Sequence, residues 1–372
     1  MGECLKQVEL PRGLGYRMPA EWEPHAATWL TWPYSKDWPG KLPAVRWVFC
    51  EIVRQLSRGE RVRLIVKSAA AVRGVSKQLR EADVDVSRVD FFHHQTDRTW
   101  ARDNLPLFVT NEGGQLGAVK WRFNGWGRYP DYKLDDQAGL AVARSSAPQH
   151  WQPTATIAGK AKRLVLEGGS VDVDGLGTLL TTRRCLLGSP FTRNPGITQA
   201  QVEQALSDYL GASHVIWLED GIAGDDTSGH IDDFARFVGP GRVVVSSTDD
   251  KRHADYEPLR AARRVLAQAR DARGKKLDVV GLPMPEAVHY QRERLPASYA
   301  NFYIGNECVL VPTFNDPADR LALNIFAELF PDRRVVGIHA LDLVVGLGTL
   351  HCSTQQEPLG ARAGVEIGCA PR

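Results

Sequence analysis

The chain has 372 residues, 43% of them hydrophobic and 24% charged, which is typical of a globular protein and excludes disorder over most of its length. It carries 46 basic and 44 acidic residues, and a net charge of +2 is too small to argue for nucleic-acid binding. No apolar run approaches the roughly 20 residues that span a bilayer. Length alone predicts two or three domains, or one large one.

The six cysteines are far apart and show no CxxC spacing. The N-terminal segment has no apolar stretch of the secretory type. We therefore expect a cytoplasmic protein whose thiols are reduced.

Short apolar segments, punctuated by Gly and Pro, alternate along the chain with amphipathic ones. The apolar segments predict strands at 61–67, 105–110, 115–123, 163–167, 178–182, 214–219, 242–247, 277–282, 309–313 and 334–338. Helices are predicted at 44–56, 199–210, 256–274 and from 317 onward. A faint recurrence of strand, turn, strand, helix and strand predicts an α/β or α+β enzyme-like layout.

Two of the helices carry boundary signals. Thr198 and Gln201 form a capping box, and Gly211 ends the first of them. Its core face is expected to hold Val202, Ala205, Leu206, Tyr209 and Leu210. Asp316 and Pro317 start the second, whose predicted apolar stripe is Leu321, Ile325 and Leu329.

Four segments, 99–106, 166–175, 228–237 and 346–358, place reactive or charged side chains beside Gly, Pro or a turn. Cys352 is the candidate nucleophile, although a buried inert thiol is the alternative. His230 and Asp232 form an HxD pair, which on an extended strand would point into one cleft. An imidazole there can act as general acid and base. A metal site is the other interpretation, but the sequence has no HxxxH, HExxH or CxxC to complete a ligand set.

Two further carboxylates complete the group. Asp103 follows Arg102, and Glu167 precedes two glycines; an exposed ion pair and a turn residue are their ordinary explanations. One thiol, one imidazole and three carboxylates together suit a planar cation, because carboxylates bind guanidinium through paired hydrogen bonds. Nine of the ten Trp lie in the first 151 residues, as core aromatics or as aromatic walls around a cation.

These motifs, in this order, resemble the agmatine deiminases and bacterial-type peptidylarginine deiminases of the guanidino-group-modifying superfamily. The matching stretches run from MPAEWEPHAATWLTWP through WARDN, FNGWGRYPDYKLDDQ, LEGGS, GTLLTT, VIWLEDGIAGDDTSGHIDDFARF, STDD and SYANFYI to HCSTQQEP. The resemblance implies a five-bladed α/β propeller (pentein) of ββαβ modules with pseudo-fivefold symmetry. Residues 1–372 would then form a single catalytic domain, against the length-based expectation.

The resemblance also implies roles for individual residues. Cys352 is the expected nucleophile and His230 the general acid/base, while Asp103 and Asp232 grip the guanidinium and Glu167 supports His230. It implies hydrolysis of agmatine to N-carbamoylputrescine and ammonia through a covalent thiouronium adduct, in polyamine synthesis, with no metal or organic cofactor. The expected partner is a small cationic guanidino compound, with no nucleic acid or membrane, and a homodimer is suggested.

Two tryptophans and two aspartates extend these expectations. Trp100 is proposed to line the cleft, with simple packing as the alternative, and Trp126 lies in another matched segment. Asp226, together with Asp225, is a candidate for the distal amine of agmatine, with a solvated acidic loop as the alternative.

Three alternatives remain open at this level. Arginine in peptides, or another guanidino compound, would change the substrate but not the chemistry. A non-catalytic guanidino-compound binder and a metal-dependent ureohydrolase would change the class of protein. The family often has three consecutive glycines before the cysteine, whereas this chain has Gly346, Leu347 and Gly348, which makes the backbone path there an open question.

Overall fold

The computed structural model describes residues 9–34, 36–188 and 190–360. The predicted reduced thiols Cys4 and Cys369 lie outside this part of the chain, whereas Cys50, Cys185, Cys308 and Cys352 are free and buried. No helix in the described ranges is long and apolar enough to cross a membrane.

The helices of the described residues are α1 (Leu42–Leu56), α2 (Ala69–Glu81), α3 (Ala101–Asn104), α4 (Lys133–Ser146), α5 (Arg183–Leu187), α6 (Gln199–Leu210), α7 (Tyr256–Gln268), α8 (Pro317–Leu329) and α9 (Leu350–Ser353). Single turns of 3-10 helix cover Pro11–Leu14, Val86–Arg88, Gly168–Ser170, Ile231–Asp233 and Val344–Gly346.

The strands of the first half are β1 (His25–Thr31), β2 (Arg61–Val66), β3 (Val89–His93), β4 (Leu107–Thr110), β5 (Leu116–Val119), β6 (Gln149–Trp151), β7 (Thr154–Ile157), β8 (Lys160–Arg163), β9 (Asp172–Val173) and β10 (Thr178–Thr182). Those of the second half are β11 (His214–Leu218), β12 (Ala235–Gly239), β13 (Arg242–Ser247), β14 (Asp278–Pro283), β15 (His289–Tyr290), β16 (Glu293–Arg294), β17 (Tyr303–Ile304), β18 (Cys308–Thr313), β19 (Arg334–His339) and β20 (Thr354–Pro358).

One pairing pattern recurs in the larger sheets of the described residues. The sheets β4-β5-β6, β9-β10-β11, β12-β13-β14 and β17-β18-β19 each join an antiparallel pair to a parallel pair. In each of them the parallel connection contains a helix, as a crossover between parallel strands requires. The recurrence of strand, strand, helix and strand seen faintly in the sequence is therefore structural.

The fifth sheet has the same pattern but joins distant parts of the chain. Its order is β20-β1-β2-β3, with β20 antiparallel to β1 and the other pairs parallel. Thr28 on β1 pairs with Gln356 on β20, so more than 300 residues separate the partners. This sheet can form only when both ends of the described chain meet.

The apolar interior is divided among the sheets. The largest cluster contains residues of α1, β2, β18 and α8, and it extends to Trp100 and Cys352. Most of the tryptophans are buried, as the core interpretation predicts, although Trp47 is 49% exposed. The site described below is thus built directly on the core.

Most predicted elements are confirmed, and α6 most closely. Its capping box forms between Thr198 and Gln201, Gly211 ends it in the left-handed conformation with φ of 74°, and the five predicted core residues are buried. The strand predicted at 242–247 has the bounds of β13. These elements carry both a periodic apolar pattern and explicit end signals.

Three element predictions are wrong in detail. The stripe of α8 is only partly correct, because Ile325 and Leu329 pack against the largest core cluster but Leu321 is 54% exposed, and the buried residues are Ala322 and Phe326. The helix predicted at 256–274 ends at Gln268, because Asp271 accepts backbone hydrogen bonds that close a turn beyond it. The strand predicted at 163–167 does not form, because β8 ends at Arg163, Val165 makes only an isolated parallel bridge with Arg122, and the side chain of Asn194 bonds its backbone.

Candidate active site

The candidate residues occupy equivalent places in the fold. Each lies in the short segment that leads into the antiparallel edge strand of one of the five larger sheets. The residues and the strands that follow them are Asp103 before β4, Glu167 before β9, His230 and Asp232 before β12, Asn301 before β17 and Cys352 before β20. Short helices in these segments contact one another, which gathers residues from distant parts of the sequence.

The predicted nucleophile is a buried thiol on α9. Cys352 is 7% exposed, and its Sγ lies 3.0 Å from Asn301 Nδ2 and 3.7 Å from Asp232 Oδ2. Burial, together with the charges of Asp232, Asp233 and Asp103, raises the pKa of the Cys352 thiol well above its usual value. The resting group is therefore the thiol, and reaction requires a change in charge beside it.

His230 lies among three carboxylates and is 1% exposed. Its Nδ1 is 3.8 Å from Asp103 Oδ1 and 3.9 Å from Asp232 Oδ1, while Nε2 is 3.7 Å from Glu167 Oε2. These distances exceed those of good hydrogen bonds, so both ring nitrogens lack a close partner. Burial acts to lower the pKa of His230, but Asp103, Cys185 and Glu167 outweigh it, and the pKa lies well above its usual value. A protonated imidazole with free N–H groups can act as a general acid.

Asp103 is positioned by two donors. Trp126 Nε1 donates to its Oδ2 at 2.8 Å, and the backbone N–H of Gly169 donates to Oδ1 at 3.0 Å. Burial, with Asp232 and Glu167 nearby, raises the pKa of Asp103 to about 6. The carboxylate is thus ionised at neutral pH and becomes neutral in mild acid.

Asp232 differs from Asp103 in its charge environment. Its Oδ2 lies 2.6 Å from Nδ1 of His351, and its Oδ1 is buried without a partner. Burial acts to raise the pKa of Asp232, but His351, His230 and Arg236 outweigh it and lower that pKa. Asp232 therefore presents one anionic oxygen without a hydrogen-bond donor, which is what a guanidinium N–H can bind.

Glu167 is fixed by a buried ion pair with Arg193. Arg193 Nε lies 3.0 and 3.2 Å from the two carboxylate oxygens, and neither side chain is exposed. Burial acts to raise the pKa of Glu167, but Arg193 and His230 outweigh this effect, and the pKa lies below its usual value. A fixed carboxylate on the Nε2 side of His230 orients the ring and leaves Nδ1 toward Asp103 and Asp232.

Gly169 marks the point where three of these side chains converge. A Cβ there would lie 2.6 Å from His230 Nδ1, 2.9 Å from Asp103 Oδ1 and 3.0 Å from Asp232 Oδ2. Any other residue would displace at least one of them, since real Cβ atoms do not approach so closely. The double glycine noted in the sequence is thus part of the site.

A cavity of about 310 Å³ leads to the nucleophile. Trp100, Trp126 and Tyr129 line it together with Asp103 and Cys352. Trp100 therefore combines both proposed roles, because it is 4% exposed and packs against Trp38 at 5.3 Å between ring centroids. Aromatic faces beside carboxylates favour a cationic ligand.

Asp226 also lines this cavity, where it accepts a hydrogen bond from the Tyr129 hydroxyl. Burial raises its pKa. Its neighbour Asp225 instead accepts backbone N–H bonds from Thr227 and Gly229 and so shapes the loop before His230. The two adjacent acids thus differ, and Asp226 alone of the pair faces the cavity.

The structure shows the backbone path of the loop before Cys352, where Leu347 lies between two glycines. Gly346 and Gly348 stand where a Cβ would approach Trp100 to 2.8 and 2.9 Å. Leu347 lies between them with φ of 70°, lines the cavity and packs against the largest core cluster. The glycines that cannot be replaced are present, and the leucine occupies the position with space for a side chain.

The strand predicted for the HxD pair is wrong. His230 precedes a 3-10 turn at Ile231–Asp233, and the strand starts only at Ala235. The pair still converges, because the turn brings Asp232 Oδ1 within 3.9 Å of His230 Nδ1.

Four residues at the site have roles that the sequence did not reveal: Glu21, Arg193, Asn301 and His351. Glu21 and His351 lie in the first and last matched motifs, and Asn301 lies in SYANFYI, but no local pattern assigns chemistry to them. Their roles depend on contacts between separate segments, from 26 positions apart for Arg193 and Glu167 to 330 for His351 and Glu21. Pattern within one segment cannot show such contacts.

Two groups at the site have the donor types of metal ligands. Glu167, Cys185 and His230 form one group and Asp232, Asp233 and Cys352 the other, with ligand atoms within 4.8 Å of one another in each. Glu167 is already held by Arg193, and Asp232 Oδ2 by His351. The carboxylates are therefore arranged around buried cations of the protein itself.

Comparison with known proteins identifies the class. A family model described as Porphyromonas-type peptidyl-arginine deiminase matches residues 17–358, and the chain belongs to this family. An agmatine deiminase of Pseudomonas aeruginosa (strain LESB58) is 35% identical over 95% of this chain and 98% of its own length. The predicted resemblance is thus confirmed.

Solved structures agree with this assignment. The agmatine deiminase of Enterococcus faecalis superposes with a TM-score of 0.84 at 34% identity, over 94% of this chain and 98% of that one. A Cys-to-Ser variant of the Campylobacter jejuni agmatine deiminase, solved with substrate bound, gives a TM-score of 0.81 at 27% identity, over 93% and 97% of the two chains.

Proposed function

We propose that this protein is an agmatine deiminase, a hydrolase that converts agmatine and water to N-carbamoylputrescine and ammonia. The observation that carries the proposal is the convergence of Cys352, His230, Asp103 and Asp232, of which Cys352 and Asp103 line an aromatic cavity. Full-length relatives named agmatine deiminase support the same reaction.

The first half-reaction begins with binding of the guanidinium by Asp103 and Asp232. The added positive charge beside Cys352 favours the thiolate, and the thiol proton leaves to water. Sγ then attacks the guanidinium carbon, and His230 Nδ1 gives its proton to the nitrogen that departs as ammonia. The C–N bond breaks and a cationic S-alkylthiouronium remains on Cys352.

The second half-reaction reverses the role of His230. Its neutral ring removes a proton from water, and the hydroxide adds to the thiouronium carbon. The C–S bond then breaks, the thiolate leaves, and loss of one proton gives the ureido product. Glu167 stabilises the imidazolium that forms, because its fixed charge lies on the Nε2 side.

The distal part of the substrate is assigned to Asp226. Agmatine carries an ammonium four carbons from the guanidine nitrogen, and the Asp226 carboxylate lies in the same cavity as Cys352. An α-carboxylate, as in free arginine, would be repelled there. Deimination of arginine in peptides, suggested by the family description, is the second candidate.

The direct experiment incubates the protein with agmatine, with and without EDTA, and identifies the products by mass spectrometry. We expect N-carbamoylputrescine and ammonia in both samples, whereas urea and putrescine lost with EDTA would contradict the proposal. Arginine and peptides ending in arginine test the second candidate. Cys352→Ala should abolish turnover, and Cys50→Ala, which alters a buried thiol elsewhere, should retain it.

The wider assignments are also proposals. We infer that the five sheets are blades of one closed α/β propeller, forming a single catalytic domain over residues 1–372. The recurring strand order supports this arrangement. A homodimer in the cytoplasm, acting in polyamine synthesis without a metal or organic cofactor, completes the proposal, and light scattering of the purified protein tests the dimer.

A further inference from the structure

A buried chain of charges runs from the segment before β1 to the substrate carboxylate Asp232. Its centre is His351, the residue before Cys352, which is 1% exposed. His351 Nδ1 lies 2.6 Å from Asp232 Oδ2, and Nε2 lies 2.8 Å from Glu21 Oε2. Both ring nitrogens thus face carboxylates at hydrogen-bond distance.

A neutral imidazole has a single N–H and cannot donate to both carboxylates. The two contacts therefore require an imidazolium or a proton on one of the acids. Burial acts to raise the pKa of Glu21, but Arg236, His351 and Arg102 outweigh it and hold that pKa well below its usual value. With the pKa of Asp232 also lowered, the arrangement fits a cationic ring between two anions.

Glu21 is itself fixed in place. Arg102 Nη2 donates to its Oε2 at 3.1 Å, and the backbone N–H of Ile304 donates to Oε1 at 2.9 Å. Arg236 Nη2 lies 2.9 Å from Oε1, and Arg236 is anchored on its other side by Asp172. The acid is thus a rigid anion that holds His351 from the side opposite Asp232.

We propose that His351, clamped by Glu21, is the positioning residue that fixes Asp232 with Oδ1 turned to the substrate guanidinium. Because His351 occupies Oδ2, the Asp232 carboxylate cannot rotate without losing a charge-assisted hydrogen bond. The unpartnered Oδ1 is the oxygen that remains for the substrate. The role rests on the proposed function, since it concerns binding of a guanidino compound at the same site.

The pH dependence of the site follows from this role. Asp232 is faced by His230, Asp233 and Arg236 of its own segment, by Asp103 from α3, and by His351 and Cys352 from α9. Of the groups that lower its pKa, His351 has the largest effect. Loss of the Nδ1 donor should therefore raise the pKa of Asp232 toward that of Asp103, about 6, so that a second carboxylate contributes to the acid limb of kcat/KM and moves it to higher pH.

Two variants of His351 separate the two contacts. In His351→Asn the amide N–H₂ replaces Nδ1 and can still bond Asp232, whereas in His351→Gln it replaces Nε2 and bonds Glu21. We expect His351→Gln to lose about tenfold or more in kcat/KM and to shift the acid limb upward, since a hydrogen bond to a charged group contributes about 1.5–3 kcal/mol. His351→Asn should stay closer to the unaltered enzyme in both respects.

Equal kinetics and equal pH profiles for the two variants, with both folded by circular dichroism, would overturn the proposal. If either variant does not fold, Glu21→Gln tests the same clamp. It keeps the shape but removes the anion that favours the cationic ring, so we expect the acid limb to move upward. A profile identical to that of the unaltered enzyme would then overturn the role.

A binding measurement separates this role from the proposed function. Calorimetry of agmatine, and of guanidinium chloride, in a Cys352→Ala background does not require turnover. We expect weaker binding when His351→Gln is added than when His351→Asn is added, and equal binding would contradict the role. An unaltered enzyme that releases no ammonia from agmatine would contradict only the proposed function.

Discussion

The indole N–H of Trp126 is the side-chain donor that holds Asp103 toward the cavity. Trp126 adopts φ of 57°, a conformation unusual for a bulky residue, which supports a local role for its placement. The pKa of Asp103, about 6, makes this contact measurable near neutral pH. At this scale, one hydrogen bond connects a strained aromatic residue to the charge of Asp103, which is proposed to bind the substrate.

Removing the Trp126 donor should change the acid limb of the pH profile of kcat/KM. The ionised form of Asp103 binds the cation, so kcat/KM should fall as the pH decreases through about 6. In Trp126→Phe the carboxylate loses a donor, its pKa rises, and the limb should move about 1 pH unit higher. Steady-state kinetics between pH 5 and 8 measure the shift.

The control is Trp121→Phe, which removes a buried indole N–H that has no hydrogen-bond partner. It should leave the limb in place. A Trp126→Phe enzyme with lower activity but an unmoved acid limb would show that Trp126 acts only by packing.

Asp226 gives a second prediction at the scale of one residue. Asp226→Asn should raise KM for agmatine about tenfold or more, because a hydrogen bond to a charged group is replaced by a neutral contact. For butylguanidine, which lacks the distal amine, the same substitution should change KM little. Equal losses for both compounds would remove Asp226 from substrate recognition.

The prediction from sequence succeeds best for single residues with defined chemistry. Cys352, His230, Asp103, Asp232 and Glu167 do converge, although their catalytic roles stay predictions. The His351–Glu21 contact was not predictable, because it joins residues 330 positions apart that carry no shared motif. Resemblance names positions, but the charge state of each depends on its three-dimensional neighbours.

Among elements, the loop between Val344–Gly346 and α9 combines close packing with strain. Leu347 holds φ of 70° there, and an L-residue in this region costs about 1–2 kcal/mol. The leucine is retained where the backbone conformation favours glycine. Its side chain lines the substrate cavity, which offers a reason for the strain.

Two substitutions that remove the side chain of Leu347 isolate the backbone strain at this position. Leu347→Ala and Leu347→Gly both remove the side chain, but only glycine relieves the positive φ. We expect the glycine variant to have the higher free energy of unfolding by about 1 kcal/mol, measured by urea denaturation. A more stable alanine variant would contradict the strain.

Lys77, exposed on α2, serves as the control position, where the alanine variant should be the more stable of the two. At an exposed helix position alanine is favoured over glycine by about 1 kcal/mol. Lys77→Ala should therefore be more stable than Lys77→Gly under the same conditions.

Element predictions failed where tertiary contacts override local pattern. On α8, Ile325 and Leu329 pack against the core as predicted, but Ala322 and Phe326 are buried and Leu321 is exposed. The turn at Ile231–Asp233 replaces a strand, because His230 and Asp232 are placed by contacts across the site. Alternation and apolar spacing specify the existence of an element better than the face it buries.

Across the whole molecule, a buried ion pair accompanies the pairing of β1 with β20. Glu357 on β20 bonds Trp29 Nε1 at 2.9 Å and pairs with Arg63 on β2, and the side chains of Arg63 and Glu357 are at most 6% exposed. Glu357→Ala would leave Arg63 buried without this partner. We expect a loss of about 3–5 kcal/mol in the free energy of unfolding.

Urea denaturation, with ammonia release measured in parallel, tests this expectation. Both should fall together, because β20 begins two residues after Cys352. Glu51→Ala, which breaks the half-exposed pair of Glu51 with Arg54 on α1, should cost at most about 0.5 kcal/mol. Similar losses of stability for the two variants would show that the Glu357–Arg63 ion pair does not stabilise the pairing of β1 with β20.

The order in which a ribosome makes this chain gives the same pairing a kinetic meaning. β1 is synthesised with one edge exposed, and the strand that covers that edge emerges more than 300 residues later. Cys352, the proposed nucleophile, lies two residues ahead of that strand. While the intervening residues are synthesised, this edge of β1 is open to chaperones that bind exposed strand edges, and the proposed nucleophile is still absent.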